Sequence, residues 1–360
     1  MKIMYFITGL GVGGAERQVC NLADGMSKLG HSVTIISLNG NVILKPNDKK
    51  INIISLNIKK NPWGIFIALL KAREVINKII PDVVHSHMYH ANIFVRMLRI
   101  ITPIRKLINT SHSNNEGGKM RMFLYRVTKC IPDLSTNVSN SAVNSLLNHN
   151  AVDNDKIITV YNGISSCEFS FSESERNLKR KELGVDERTK LILSVGRFTQ
   201  AKDYPNLLYA IKCVFQKIPD IKVVIIGDGE LKPDIQKLAE ELGLTNLIYF
   251  LGVRNDIPGW MSAADLFVLS SAWEGFGMVV AEAMLCERLI VATDSGGVKE
   301  VLGEQGFLVE PGNSEKLACA MVHALELPAE ESLILMKKAR MHSHENFDLN
   351  KIIERWLSIY

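Results

Sequence analysis

Short β-branched, apolar runs alternate with helical patterns along most of the chain. In the first half, residues 2–8, 32–38, 83–85, 106–110, 134–138 and 157–161 read as strands. Between them, 15–29, 63–79 and 141–147 carry apolar residues at helical spacing, with Ser141 suited to cap the last of these. A charge-dense stretch, SSCEFSFSESERNLKRKELGVDERTK, then breaks the pattern and reads as a connector with a short helix. The alternation restarts with strands at 191–195, 221–226, 266–269 and 289–292, and helices at 204–218, 231–242, from about 277, and 314–327. Such alternation predicts parallel sheets covered on both faces, hence an α/β chain of two doubly wound, Rossmann-like domains. The expected boundaries are 1–165 for the first domain, 166–187 for a linker and 188–340 for the second domain. Residues 341–360 form a C-terminal helix expected to pack back toward the first domain. In sheets of this kind ligands bind beyond the carboxyl ends of the strands, so a cleft between two facing domains is the expected place for chemistry.

Composition narrows the setting. A length of 360 residues suits two domains, and 47% hydrophobic with 22% charged residues describes a folded chain. The six cysteines form no CxxC pair and have no histidine at metal-ligand spacing, which fits a reduced, cytoplasmic protein. No apolar run reaches 18 residues, so a membrane span is not expected. The opening MKIMYFITGLGVGGAER runs into a glycine turn and a charged helix, unlike a secretory signal. The net charge of +4 hides an asymmetry: residues 1–165 hold 20 Lys and Arg against 9 Asp and Glu, and the remainder 22 against 29. The first domain therefore carries a positive field.

Three loops at strand ends could hold a phosphate. Gly9-Leu-Gly-Val-Gly-Gly-Ala-Glu-Arg17 opens a helix, where backbone amides and the helix dipole favour an anion. Its GxGxxG lacks the acid of the dinucleotide fingerprint after the next strand, which ends Ser37-Leu-Asn39, and a ligand-free tight turn is the competing reading. In the second domain, Gly196, Arg197 and Lys202 follow the first strand. Arginine offers a forked pair of donors and lysine a point charge, a combination suited to a diphosphate. Gly227-Asp-Gly-Glu230 is a ligand loop or a plain turn.

The stretch WEGFGMVVAEAM places Glu274 in a loop after a strand and Phe276, Gly277 and Met278 at a helix start. Glu282 follows among apolar residues. A carboxylate there is costly unless it finds donors, which could be a group elsewhere in the protein or the vicinal diol of a ribose.

The pair Glu274 and Glu282 resembles the E-x7-E motif of the retaining GT-B glycosyltransferases, specifically glycosyltransferase family 4. GVGGAER, DVVHSHMYHA, SVGRFTQAKDY, VVIIGDGEL, FLGVRNDIPGWMSAADLFVLSS and Asp294-Ser-Gly-Gly-Val-Lys-Glu300 follow in the family's order along nearly the whole chain. The resemblance implies that Glu282 holds the donor ribose and that Glu274 faces the donor sugar. Arg197 and Lys202 would grip the diphosphate, Gly13 and Gly14 would reach phosphate and sugar, and His112 would lie near the transferred sugar. It also implies retention of configuration and no cofactor. Asp153-Asn-Asp155 spells DxD but sits in a polar turn, so no metal site is expected and cations with helix amides would stabilise the leaving group. His85 and His87 at a strand end are cleft-lining structural groups or catalysts.

The acceptor would belong to the basic first domain. Arg96, Arg99, Arg105, Lys106 and the segment 119–129 interleave cations with large apolar residues, suiting an anionic bilayer and a lipid diphosphate, or else solvated faces of amphipathic helices. The resulting expectation is a metal-independent transferase moving a hexose or N-acetylhexosamine from a UDP-sugar to a lipid-linked or free saccharide in O-antigen, lipopolysaccharide or capsule synthesis, peripheral on the cytoplasmic membrane. A sugar-nucleotide epimerase and a non-catalytic sugar-nucleotide-binding protein remain alternatives. No nucleic-acid-reading element is present to make use of the charge.

Overall fold

The computed structural model describes every residue except Asn41, Lys60, Asn115 and Glu116. The chain forms two compact units, Met1–Gly163 with Leu349–Tyr360, and Ile164–Asp348.

In the first unit, strands β1 (Lys2–Ile7), β2 (Ser32–Ser37), β3 (Asn52–Ser55), β4 (Val83–His87), β5 (Leu107–Ser111), β6 (Leu134–Asn137) and β7 (Ile157–Thr159) make one parallel sheet in the order β3-β2-β1-β4-β5-β6-β7. Its central strands are buried along nearly their whole length, as expected where helices cover both faces. One face packs on Val19, Leu22 and Met26 of the helix Gly14–Lys28 and on Ile352, Ile353 and Trp356 of the helix Leu349–Ile359. The other face packs on Leu69, Ala72 and Ile76 of Pro62–Ile79 and on Phe94, Val95 and Leu98 of Tyr89–Ile101. The segment read as a single helix over 341–360 is two: Ala329–Phe347 in the second unit and Leu349–Ile359 in the first, parted at the extended Asp348. Helix Asn140–Asn148 is capped by Ser139, whose hydroxyl accepts from Ala142 N at 3.2 Å, and not by Ser141.

In the second unit, β8 (Lys190–Val195), β9 (Ile221–Ile226), β10 (Ile248–Gly252), β11 (Leu266–Leu269), β12 (Leu289–Thr293) and β13 (Phe307–Val309) form a parallel sheet in the order β10-β9-β8-β11-β12-β13. The order reverses between β8 and β11, the kind of switch point where α/β sheets take ligands. The stretch 166–187, read from sequence as a linker, is an integral part of this unit. Its helix Glu173–Leu183, capped by Ser172 and closed by a left-handed Gly184, sends Arg176 and Arg180 onto Asp265. Arg180 is 2% exposed and also donates to the carbonyls of Ala263 and Thr189. A buried guanidinium is tolerated because both of its terminal nitrogens are met by a carboxylate and carbonyls.

The exits of β8 and β9 lie backbone on backbone. Phe198 N donates to Asp228 O at 3.0 Å, and Leu231 N to Phe198 O at 3.1 Å. Gly227 has φ +143°, and a Cβ there would stand 2.0 Å from the Gly196 carbonyl oxygen. Gly227→Ala is therefore expected to destabilise the protein by about 3 kcal/mol, combining a forbidden backbone region with overpacking. Chemical denaturation of the variant beside the parent checks this.

Candidate active site

The loops leaving β8 and β11, neighbours in the sheet, are joined to each other. Ala272 N donates to Ala201 O and the Ser270 hydroxyl to Lys202 O, both at 2.8 Å. This junction brings the Lys202 ammonium into an ion pair with Glu274 Oε1, which also accepts the Ser271 hydroxyl at 2.7 Å. The sequence reading gave Lys202 and Glu274 separate duties; the structure pairs them directly. The lysine stem lies close over Gly196, where a Cβ would come within 2.9 Å of Lys202 Cε, so a side chain at 196 would displace it. Arg197 is exposed, and among the described residues it has no carboxylate within ion-pair distance.

Beyond Glu274, Gly277 adopts φ +89° and opens the helix Met278–Leu285. A Cβ on Gly277 would meet Val298 Cγ2 at 3.1 Å, and no side chain among the described residues caps the helix. Phe276 is buried, edge-on to Phe347 at 5.3 Å, and Met278 is also buried, so these positions contribute backbone rather than side chains to any ligand. Glu282 is 5% exposed within the apolar helix, as the sequence pattern predicts.

In the first unit, Gly13 precedes the helix Gly14–Lys28 with extended backbone at φ −178°, a conformation any residue adopts. What its lack of a side chain permits is close approach of Glu16, whose Oε2 would be 2.5 Å from a Cβ at 13. His112, just past β5, shares a 3.0 Å hydrogen bond between its Nε2 and His87 Nδ1. The His85 and His87 rings are 4.0 Å apart. His85 bonds Tyr360 Oη at 2.7 Å and Thr110 Oγ1 at 2.6 Å, which places it in the buried framework. His112 Nδ1 and His87 Nε2 are buried with no hydrogen-bond partner among the described residues. Burial disfavours the imidazolium and pushes all three pKa values down, His112 to about 4, so the cluster is neutral at pH 7. Asp153 of the DxD spelling is paired with Lys129. Among the described residues no group of three or more His, Cys, Asp or Glu is arranged to hold a metal ion.

Two residues at these sites escape sequence reading. Ser271 is one of two adjacent serines with nothing in the pattern to distinguish them. Tyr360 reaches His85 only through tertiary packing of the Leu349–Ile359 helix.

Two units, each built on a parallel sheet with helices on its faces, make the GT-B fold. Solved structures share the fold: Anabaena HepE in complex with UDP and glucose superposes with a TM-score of 0.89 at 21% identity, covering 100% of this chain and 99% of that one. Family models match both units, "Glycosyltransferase Family 4" over residues 12–166 and "Glycosyl transferases group 1" over 175–342. The chain belongs to glycosyltransferase family 4. An uncharacterized glycosyltransferase of Haemophilus influenzae is 28% identical over 99% of this chain and 99% of its own. The Campylobacter jejuni N-acetylgalactosamine-N,N'-diacetylbacillosaminyl-diphospho-undecaprenol 4-alpha-N-acetylgalactosaminyltransferase is 28% identical over 90% of each.

The clustered histidines, of which His85 and His87 are buried and His112 is half-buried, give a pH signature. Their folded-state pKa values lie below the unfolded value, so the unfolded chain binds more protons as pH falls below about 6.5. The stability they contribute is fully present above that pH and declines toward the folded pKa, near 4 for His112. Between pH 7 and 5 we expect a loss of about 1–2 kcal/mol from His112 alone. His112→Asn should flatten the fall of the melting temperature over that interval.

Proposed function

We propose that the protein is a retaining, metal-independent glycosyltransferase. It moves a hexose or N-acetylhexosamine from a UDP-sugar to a polyprenyl-diphosphate-linked saccharide in the assembly of a bacterial surface polysaccharide such as O-antigen or capsule. The observation that carries the donor half is the gathering of Gly196, Arg197, Lys202 and Glu274 at the adjoining carboxyl ends of β8 and β11. Cleaving the sugar–phosphate bond leaves negative charge on the nucleoside diphosphate. The Arg197 fork and the amides at the start of Met278–Leu285 are suited to receive it, so no metal is needed for this step. Glu282 accepts the ribose diol and Glu274 a sugar hydroxyl. His112, whose affinity for a proton is lowered by desolvation, orients the sugar and does not serve as the base.

UDP in the HepE complex supports the choice of base, and the acceptor in the name of the Campylobacter jejuni relative supports a lipid diphosphate. No helix among the described residues is long and apolar enough to cross a membrane. Attachment to the cytoplasmic leaflet therefore rests on the basic first unit. Its helix Lys119–Val127 exposes Met120, Phe123 and Val127 among Lys119 and Arg126, a mixture that inserts apolar groups while cations meet anionic headgroups.

A panel of UDP- and GDP-sugars assayed with and without chelator tests donor and metal together, with UDP-sugar turnover expected to survive chelation. Arg197→Ala should lower kcat/KM by about 10²–10³ at an unchanged melting temperature; full activity would remove the diphosphate assignment. Co-sedimentation with vesicles containing anionic lipid should be strong at low salt and lost at high salt, and failure to bind at low salt overturns the membrane attachment.

A further inference from the structure

Among the described residues, both hydrogen-bonding partners of the Glu274 carboxylate, Lys202 Nζ and the Ser271 hydroxyl, lie on one oxygen, Oε1. Ser271 is 0% exposed and its backbone is fixed from several sides. The Thr293 hydroxyl donates to its carbonyl at 2.5 Å, while Ser270 and Ala272 on either side bond the carbonyls of Lys202 and Ala201. A serine hydroxyl donates one proton, and here it is committed to Glu274. A lysine ammonium alone is a rotating point charge on a flexible stem and does not set the plane of a carboxylate. A second donor on a rigid loop, converging on the same oxygen, does. The consequence is a carboxylate with Oε1 occupied and Oε2 left as acceptor.

We propose that Ser271 is a positioning residue: it holds Glu274 so that Oε2 is presented to a hydroxyl of the donor sugar. This rests on the reading of Glu274 as the sugar contact. Without the Ser271 hydroxyl the carboxylate keeps its ion pair and can swing about Lys202 Nζ. The sugar then loses its fixed acceptor, while the cations facing the diphosphate are unchanged. The defect belongs in kcat and not in nucleotide affinity.

The test measures turnover of the UDP-sugar and calorimetric binding of UDP for the parent, Ser271→Ala, Glu274→Ala and the double variant. Ser271→Ala is expected to lower kcat about tenfold, the loss typical of one hydrogen bond to a charged group. UDP affinity should stay within twofold and the melting temperature should not move. In the Glu274→Ala background the serine substitution should cost less than twofold, because there is no carboxylate left to orient. Unchanged kcat in Ser271→Ala, an equal tenfold loss in both backgrounds, or a parallel fall in UDP affinity and melting temperature would each overturn the positioning role. If the parent neither binds UDP nor turns over any nucleotide sugar, the proposed function itself fails and this role falls with it. If the parent binds and turns over while Ser271→Ala is indifferent, only the positioning role is lost.

Discussion

The second unit is organised around one close passage of backbone against backbone. At Gly227 the exit of β9 runs so near the Gly196 carbonyl that no side chain fits between them. With the gap closed, Phe198 exchanges hydrogen bonds with the β9 loop and stacks on Tyr204 at 4.5 Å. Tyr204 returns a 3.0 Å bond to the Gly196 carbonyl. Burying Phe198 turns its neighbour Arg197 outward, and the helix Tyr204–Lys217 starts immediately behind Lys202. The cations thus depend on the close approach of two glycines, Gly196 and Gly227. Gly227 is a packing requirement first, whatever else the loop does.

The two units handle polarity in opposite ways. Beneath His112 the first unit builds a network of uncharged side chains: Tyr5, Tyr360, His85, Thr110 and Thr136 are linked by hydroxyl and imidazole hydrogen bonds. Desolvation keeps such imidazoles neutral, and a neutral network costs less to bury than a charged one. At the carboxyl edge of the second sheet an ammonium and a carboxylate meet where both retain some contact with water, with side-chain exposures of 18% and 15%. Charge there is less penalised and remains available to a ligand.

Much of this was legible in the residues. Long buried strands such as Ile221–Ile226 announce themselves as β-branched runs, and the E-x7-E spacing singles out Glu274, which the structure brings to Lys202. Half-buried edge strands were missed: Asn52–Ser55, Ile248–Gly252 and Phe307–Val309 are three to five residues long and Ile248 alone among them is buried, so hydrophobic pattern carries little signal there. Segment 166–187 read as a linker because its charges look solvated. Only the fold reveals that Arg176 and Arg180 have Asp265 and a row of carbonyls waiting. The Lys202–Glu274 pair was hidden for a related reason: 72 residues separate partners that meet because β8 and β11 are adjacent.

That pairing alters how charge is supplied in the proposed reaction. An ammonium in contact with a carboxylate contributes little net field at a distance, since the two charges largely cancel. It still has hydrogen-bond donors to spare, because lysine carries three and Glu274 takes one. Lys202 can therefore fix a phosphate oxygen by a directed bond while leaving most of the electrostatic stabilisation to Arg197 and the start of Met278–Leu285. In the proposed reaction the same contact would link the two ends of the donor. A lysine bound to the diphosphate and to Glu274 at once sets the distance from leaving group to sugar, so that charge developing on the phosphate is felt by the group that orients the ring.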